Sequence, residues 1–168
     1  VTFKIFHYNK GIIIKFYVND SFFVLNNLDN NSPVYRDSCV EFFISFDNTH
    51  YYNFEFNGAG AILAQYGENR FNRVFLTENE LSQVKTFSSL KKEITPLTKN
   101  VNWELSVIIP TTVFKFDEIE NKKNKKAFCN FYKCGDDLPN KHYLTFFPVK
   151  TEKPDFHQLP FFGSVYFE

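Results

Sequence analysis

The chain contains no methionine, one tryptophan, three cysteines and six glycines, and it carries no surplus of charge, with 19 Lys and Arg against 19 Asp and Glu over 168 residues. Charge balance excludes both the basic field that draws nucleic acid and the acidic field that gathers cations in bulk. Three cysteines (Cys39, Cys129, Cys134) cannot build a dense disulfide framework, and an odd number leaves at least one without a partner in the chain. They are expected to be buried small apolar groups. No uninterrupted apolar run approaches the roughly 20 residues of a transmembrane helix. The sequence starts at Val1 and lacks methionine, as expected of a mature or trimmed product, so the lack of a signal peptide does not bear on location.

Several catalytic and metal-binding patterns are missing too. His7, His50, His142 and His157 are scattered, with no pair at helical metal-ligand spacing. Neither Ser38 nor Ser106 sits in a nucleophile elbow, and Gly58-Ala59-Gly60 is too short for a phosphate loop. Cys129 and Cys134 are spaced unlike a zinc pair and no second pair accompanies them, which sets thiolate ligation aside. The basic run at Lys122–Lys126 lacks interleaved aromatics and reads as a solvated loop. Asp47-Asn48, Asp117-Glu118 and Asp136-Asp137 fit ordinary turn chemistry. A structural calcium held by such oxygens is the one cofactor these residues leave open, with metal content otherwise unknown.

What the chain has instead is aromatic mass: 23 Phe and 9 Tyr within a hydrophobic fraction of 43%. Flat rings favour pleated sheet, and this length suffices to bury roughly 70% of the unfolded surface in one domain, 1–168. Strand-like alternation recurs at 3–8, 11–18, 21–25, 40–46, 51–57, 61–67, 90–94, 101–109, 127–133, 143–147 and 164–167. Residues 68–83 are mixed and polar, and one short helical turn is expected at 111–116. No helix of useful length, repeat or linker stands out. The expected fold is all-β, a two-sheet antiparallel β-sandwich of jelly-roll-like form with long functional loops.

Side-chain parity then singles out one face. Val40, Phe42, Ile44 and Phe46 point one way, and Glu41, Phe43 and Ser45 the other. In the next strand Tyr52, Phe54 and Phe56 oppose Tyr51, Asn53, Glu55 and Asn57. If the two strands pair, one side is core and the other a patch of carboxylates and amides beside rings. Such a patch suits a neutral, hydroxyl-rich ligand, because a pyranose offers apolar C–H faces and a girdle of hydroxyls. The proline-bounded segment after Tyr143, through Phe156 to Gly163, is a long loop carrying aromatics, the kind of loop that is often functional.

Tyr35–Ile44, Tyr51–Asn57, Trp103–Pro110, Asn130–Asp136 and Pro154–Gly163, taken together and in order, resemble the family 9 carbohydrate-binding modules. The chain is more closely similar to the family 9-like proteins common in gut-type Bacteroidetes, and the likeness spans nearly its whole length. The resemblance implies a β-sandwich that clamps one sugar between two aromatic side chains. One clamp ring lies six residues before a glutamate, which gives Tyr35 before Glu41. The other lies in the last long loop, seven residues before the glycine of a Phe-Gly pair, which gives Phe156 before Phe162-Gly163. Glu41 is then a hydroxyl acceptor and Asn57 its neighbour, with Arg36, Asn53, Glu55, Lys153 and His157 near the rim. Characterised members carry tryptophan at both clamp positions, so the smaller rings here imply weaker or altered sugar preference. The arginine of the family, two residues before the asparagine, is Glu55 here, and Arg36, Arg70 or Arg73 has to replace it. The amide three residues before the second ring is Lys153.

The expected function is therefore non-catalytic carbohydrate binding to a poly- or oligosaccharide, with no nucleic acid, no membrane span and affinities of about 10 μM to 1 mM. The resemblance further implies a secreted protein at an extracellular, periplasmic or cell-surface location, working within a larger glycan-degrading protein or system. Two alternatives stand beside it. One is a glycan-active hydrolase using Glu41 and Glu55 as its carboxyl pair; the other is a structural or haem-binding sandwich, for which methionine is absent but four histidines remain.

Overall fold

A computed structural model describes residues 1–8, 10–90, 97–117, 119 and 125–167. Among these residues, eleven strands form two antiparallel sheets. The smaller holds β1 (Thr2–Tyr8), β2 (Gly11–Val24), β7 (Lys85–Ser88) and β8 (Leu97–Pro110), in the order β1-β2-β8-β7. The larger holds β3 (Cys39–Ser45), β4 (Tyr51–Asn57), β5 (Ile62–Gly67), β6 (Arg73–Phe75), β9 (Lys126–Cys134), β10 (Tyr143–Thr145) and β11 (Gly163–Tyr166). Its order is β10-β9-β3-β4-β5-β6, and β11 pairs with the first half of β9. Among the described residues, no helix is long and apolar enough to cross a membrane.

Alternation explains the sandwich. Ile12, Ile14, Phe16 and Val18 of β2, with Trp103, Leu105, Val107 and Ile109 of β8, form one buried face. Val40, Phe42 and Ile44 of β3, with Tyr52, Phe54 and Phe56 of β4, form the other, and all belong to a single cluster. Tyr52 stacks parallel to Phe54 at 6.2 Å and Phe54 to Phe56 at 6.5 Å, a ladder of rings down one strand.

Departures from the expected strand map have local causes. The two segments 11–18 and 21–25 are one strand, because Asn19 and Asp20 keep pairing with Asn102 and Val101. Asp20 is 4% exposed, yet it accepts from Trp103 Nε1 at 2.9 Å and meets Lys133 Nζ at 3.2 Å. Buried charge is tolerated here because it is paired and hydrogen-bonded. The polar stretch 68–83 supplies β6 and the four-residue helix α1 (Glu78–Leu81), whose Glu80 carboxylate accepts from the Thr77 backbone N–H at 2.6 Å. The helical turn expected at 111–116 is a 3₁₀ turn at Thr111–Val113. Within the strand expected at 90–94, residues 91–94 lie outside the described residues, as do Glu118 and Lys122–Asn124. All three cysteines are buried thiols.

A second layer covers the outer face of the larger sheet. Phe43, Tyr51 and Tyr132 pack there against Phe162, Val149 and Leu159 of the long segment after β10. That segment is tied down by Asn130, whose amide donates to Phe147 O and accepts from Phe147 N–H, both at 2.9 Å. At one end the outer face stays open, lined by Tyr35, Glu41, Glu55 and Phe156.

Candidate functional site

The open end is a cleft of about 240 Å³. Its floor is built by register. Glu41 of β3 stands directly opposite Glu55 of β4, which stands opposite Leu63 of β5. One row along, Asn53 faces Gln65, and on the far side Cys134 of β9 closes the floor. Three loops supply the walls.

The first wall is the 3₁₀ turn Val34–Arg36. Val34 is fully buried and anchors it, while Tyr35 stays 39% exposed. Tyr35 O accepts from Asp136 N–H at 3.2 Å, and Arg36 O accepts from Asp137 N–H at 2.9 Å. Arg36 turns away from the cleft and grips Asp137 through two contacts of 2.9 and 3.3 Å. Behind the turn, fully buried Asp37 accepts from the backbone N–H groups of Asn26 and Asn27 and from the side-chain amides of Asn27 and Asn57.

The second wall is Pro154–His157. Phe156 stacks on Tyr132 at 4.2 Å with 13° between planes, and its carbonyl accepts from the Tyr132 hydroxyl at 3.0 Å. The ring is half-buried and lines the cleft with Tyr143 edge-on at 6.1 Å. His157 lies beside the Tyr51 hydroxyl, with Nδ1 at 3.0 Å. Burial, reinforced by Arg73, pushes its pKa down to about 3, so the imidazole is neutral at physiological pH.

The third wall is the β5–β6 hairpin, which brings Arg70, Phe71 and Arg73 over the floor. Asn69 Oδ1 accepts from the backbone N–H groups of Phe71 and Asn72, fixing the turn. Arg73 donates twice to Arg70 O and once, at 3.0 Å, to Asn53 Oδ1. Asn53 in turn donates to Glu55 Oε1 at 3.0 Å. A guanidinium, an amide and a carboxyl are thus chained across the sheet.

Electrostatically the floor is unusual. Glu41 and Glu55 are 3% and 4% exposed. Burial raises the pKa of both; Cys134 adds to the effect at Glu41, and Arg73 opposes it at Glu55.

Of the residues singled out from sequence, Tyr35, Glu41, Glu55, Phe156 and His157 meet around the cleft. Asn57 does not reach it. Fully buried, its amide donates to Asn27 O and Asp37, and its Oδ1 accepts from the Ala59 and Ala61 backbone N–H groups. Asn53 is equally buried and touches the cleft only through Arg73 and Glu55. Arg36 is held by Asp137, and Lys153 is exposed beside Pro154 without lining the cleft. Gln65, Phe71, Cys134, Asp136, Tyr143 and Asp155 join the lining without having been singled out as site residues. Parity along β5 and β9 is the signal that points to Gln65 and Cys134. Of the three arginines offered as replacements, Arg70 and Arg73 line the cleft and Arg36 does not.

The oxygen-rich turns are internally satisfied where described. Asp47 accepts from Thr49 and His50, through both backbone and side chains, which holds its carboxyl well below the usual range against the cost of burial. Asp137 is paired with Arg36.

The family model for carbohydrate-binding family 9 matches residues 1–167. The chain belongs to that family. Its members are sugar-binding modules, so carbohydrate binding is the activity the fold carries. A protein from Bacteroides uniformis, solved as a candidate carbohydrate-binding protein, is 36% identical. It superposes with a TM-score of 0.93 over 99% of this chain and 77% of the other. A family 9 module from Caldicellulosiruptor kristjanssonii, solved in complex with glucose, shares the fold at a TM-score of 0.60 and 14% identity, over 98% and 74% of the two chains. Among curated proteins, none matches this one.

Proposed function

We propose that the cleft binds one unit of a poly- or oligosaccharide without cleaving it, with Tyr35 and Phe156 packing on the sugar's apolar faces. Glu41 and Glu55 on the floor, with Arg70 and Arg73 above, read its hydroxyls. The observation that carries this reading is the meeting of two accessible rings and buried polar groups in one cleft of about 240 Å³, although Tyr35 and Phe156 are far apart in sequence. That volume suits a single pyranose. The glucose seen in the Caldicellulosiruptor module makes glucose and glucans the first probes. Each hydrogen bond to a charged group adds roughly 1.5–3 kcal/mol, but water competes for every hydroxyl, so binding in the 10 μM to 1 mM range is expected.

The hydrolase alternative would use the same floor: glycosidases set two carboxyls roughly 5–9.5 Å apart across the scissile bond, and Glu41 and Glu55 face each other on neighbouring strands. Membership in a family of sugar-binding modules is what favours binding without turnover. The test is a glycan array followed by calorimetry on the hits, with Glu41→Gln and reducing-end release measured in parallel. Bound glycan without release, weakened in Glu41→Gln, supports the reading. Release that vanishes in Glu41→Gln overturns it.

A further inference from the structure

Under the cleft floor three donor atoms of mixed type converge. Cys39 Sγ, Cys134 Sγ and a Glu41 carboxylate oxygen all lie within 4.8 Å of one another. Register brings them together: Cys39 of β3 stands directly opposite Cys134 of β9, and Glu41 follows Cys39 on the same face of β3. They are 0%, 2% and 3% exposed. The Cys134 thiol donates to Glu41 Oε1 at 2.9 Å. A second observation points the same way: Glu55, opposite Glu41, keeps Oε2 buried with no hydrogen-bond partner among the described residues. Buried polar atoms are normally satisfied, and such an orphan asks for a missing partner.

We propose that Cys39, Cys134 and Glu41 form a binding site for a thiophilic divalent cation of the zinc class, with its fourth position open to the cleft. Glu41 and Cys134 line the cleft, so the ion has a path in and a face toward bound ligand. A water or sugar hydroxyl in the fourth position gives Glu55 Oε2 something to accept from. Tetrahedral zinc, at about 2.3 Å to sulfur and about 2.0 Å to oxygen, holds its ligand atoms roughly 3.5–3.8 Å apart. The present separations reach that spacing by side-chain shifts of about 1 Å or less. On binding, each thiol that forms a metal–sulfur bond gives its proton to buffer, and the Glu41 oxygen exchanges the Cys134 hydrogen bond for the metal.

The test uses the whole chain, reduced and chelator-treated, titrated with Cd²⁺ alone and followed by the ultraviolet charge-transfer band of cadmium–thiolate bonds. The expected result is a band that saturates at one ion per chain, is displaced by Zn²⁺, and is lost in Cys39→Ser and in Cys134→Ser. Cys129→Ala, which removes a thiol on the core side of β9, retains it. Circular dichroism before titration verifies that each variant is folded; where a serine variant is not, Glu41→Gln must still weaken cadmium binding at least tenfold. No saturable band in the parent chain, or a band that survives in a folded Cys39→Ser or Cys134→Ser variant, overturns the proposal. Glycan binding, measured on the same chelator-treated protein, separates failure of the metal site from failure of the sugar site.

Discussion

Replacing Tyr35 with alanine separates sugar binding from folding. The turn that carries it is held by its backbone: Tyr35 O accepts from Asp136 N–H, and Val34 fills the space beneath. Alanine keeps all of this. With 39% of the residue already exposed, the stability loss is confined to the covered part of the ring, about 1 kcal/mol. For a chain of this size that lowers Tm by about 2–4 °C. Affinity should change more. A pyranose face laid on the ring removes roughly 80–100 Å² of apolar surface from water, counting both partners, or about 2–2.5 kcal/mol and roughly 30–60-fold in Kd. Calorimetry on the best glycan, beside a thermal melt, measures both quantities. A Kd within about threefold of the parent, with Tm little changed, refutes the clamp. Phe156→Ala should lose affinity to a similar degree but cost more stability, about 2 kcal/mol, because its ring also stacks on Tyr132.

Other predictions follow from buried polar groups. Asp37→Ala strands four donors from Asn26, Asn27 and Asn57 and should destabilise by about 3 kcal/mol or more in urea unfolding. Lys133→Met leaves Asp20 buried beside Trp103 without its cation and should cost about 3–5 kcal/mol, measured in the same way. His157 gives a pH signature. Its folded pKa of about 3 lies below the ordinary 6.5, so the unfolded chain binds more protons there. Its contribution is complete above pH 6.5 and is lost as pH falls toward 3, with a slope of at most about 1.4 kcal/mol per pH unit. The unfolding free energy of the parent minus that of His157→Gln should decrease as pH falls from 7 to 4; a constant difference contradicts a buried neutral imidazole.

Much of this was legible in alternation alone. The core faces of β3, β4 and β8 are the ones their two-residue period picks out, and the pairing of Glu41 with Glu55 follows once β3 and β4 are neighbours. Depth was not legible. Asn53 and Asn57 share the polar face with Glu41, but Arg73 of the β5–β6 hairpin covers the first and the Asn26–Asn27 loop the second, and both amides satisfy internal partners. Nothing local in the polar stretch 68–83 reveals that a hairpin turn carries Arg70, Phe71 and Arg73 over the floor. Lys133 and Asp20 break the pattern of an apolar core because each satisfies the other across two sheets. The neighbourhood of Cys39 and Cys134 is not local either: Cys129 is the nearer cysteine along the chain, while register sets Cys39 of β3 opposite Cys134 of β9.

The most direct test of the proposal that this cleft binds sugar is an amide NMR titration of the whole chain with the oligosaccharide that scores highest on a glycan array. Shifts confined to the Tyr35 turn, the Arg70–Arg73 hairpin, the Pro154–His157 loop and the floor strands at Glu41 and Glu55 are the predicted result. A saturable titration whose shifts map to the smaller sheet instead, or one equally strong when Tyr35 and Phe156 are both alanine, contradicts it.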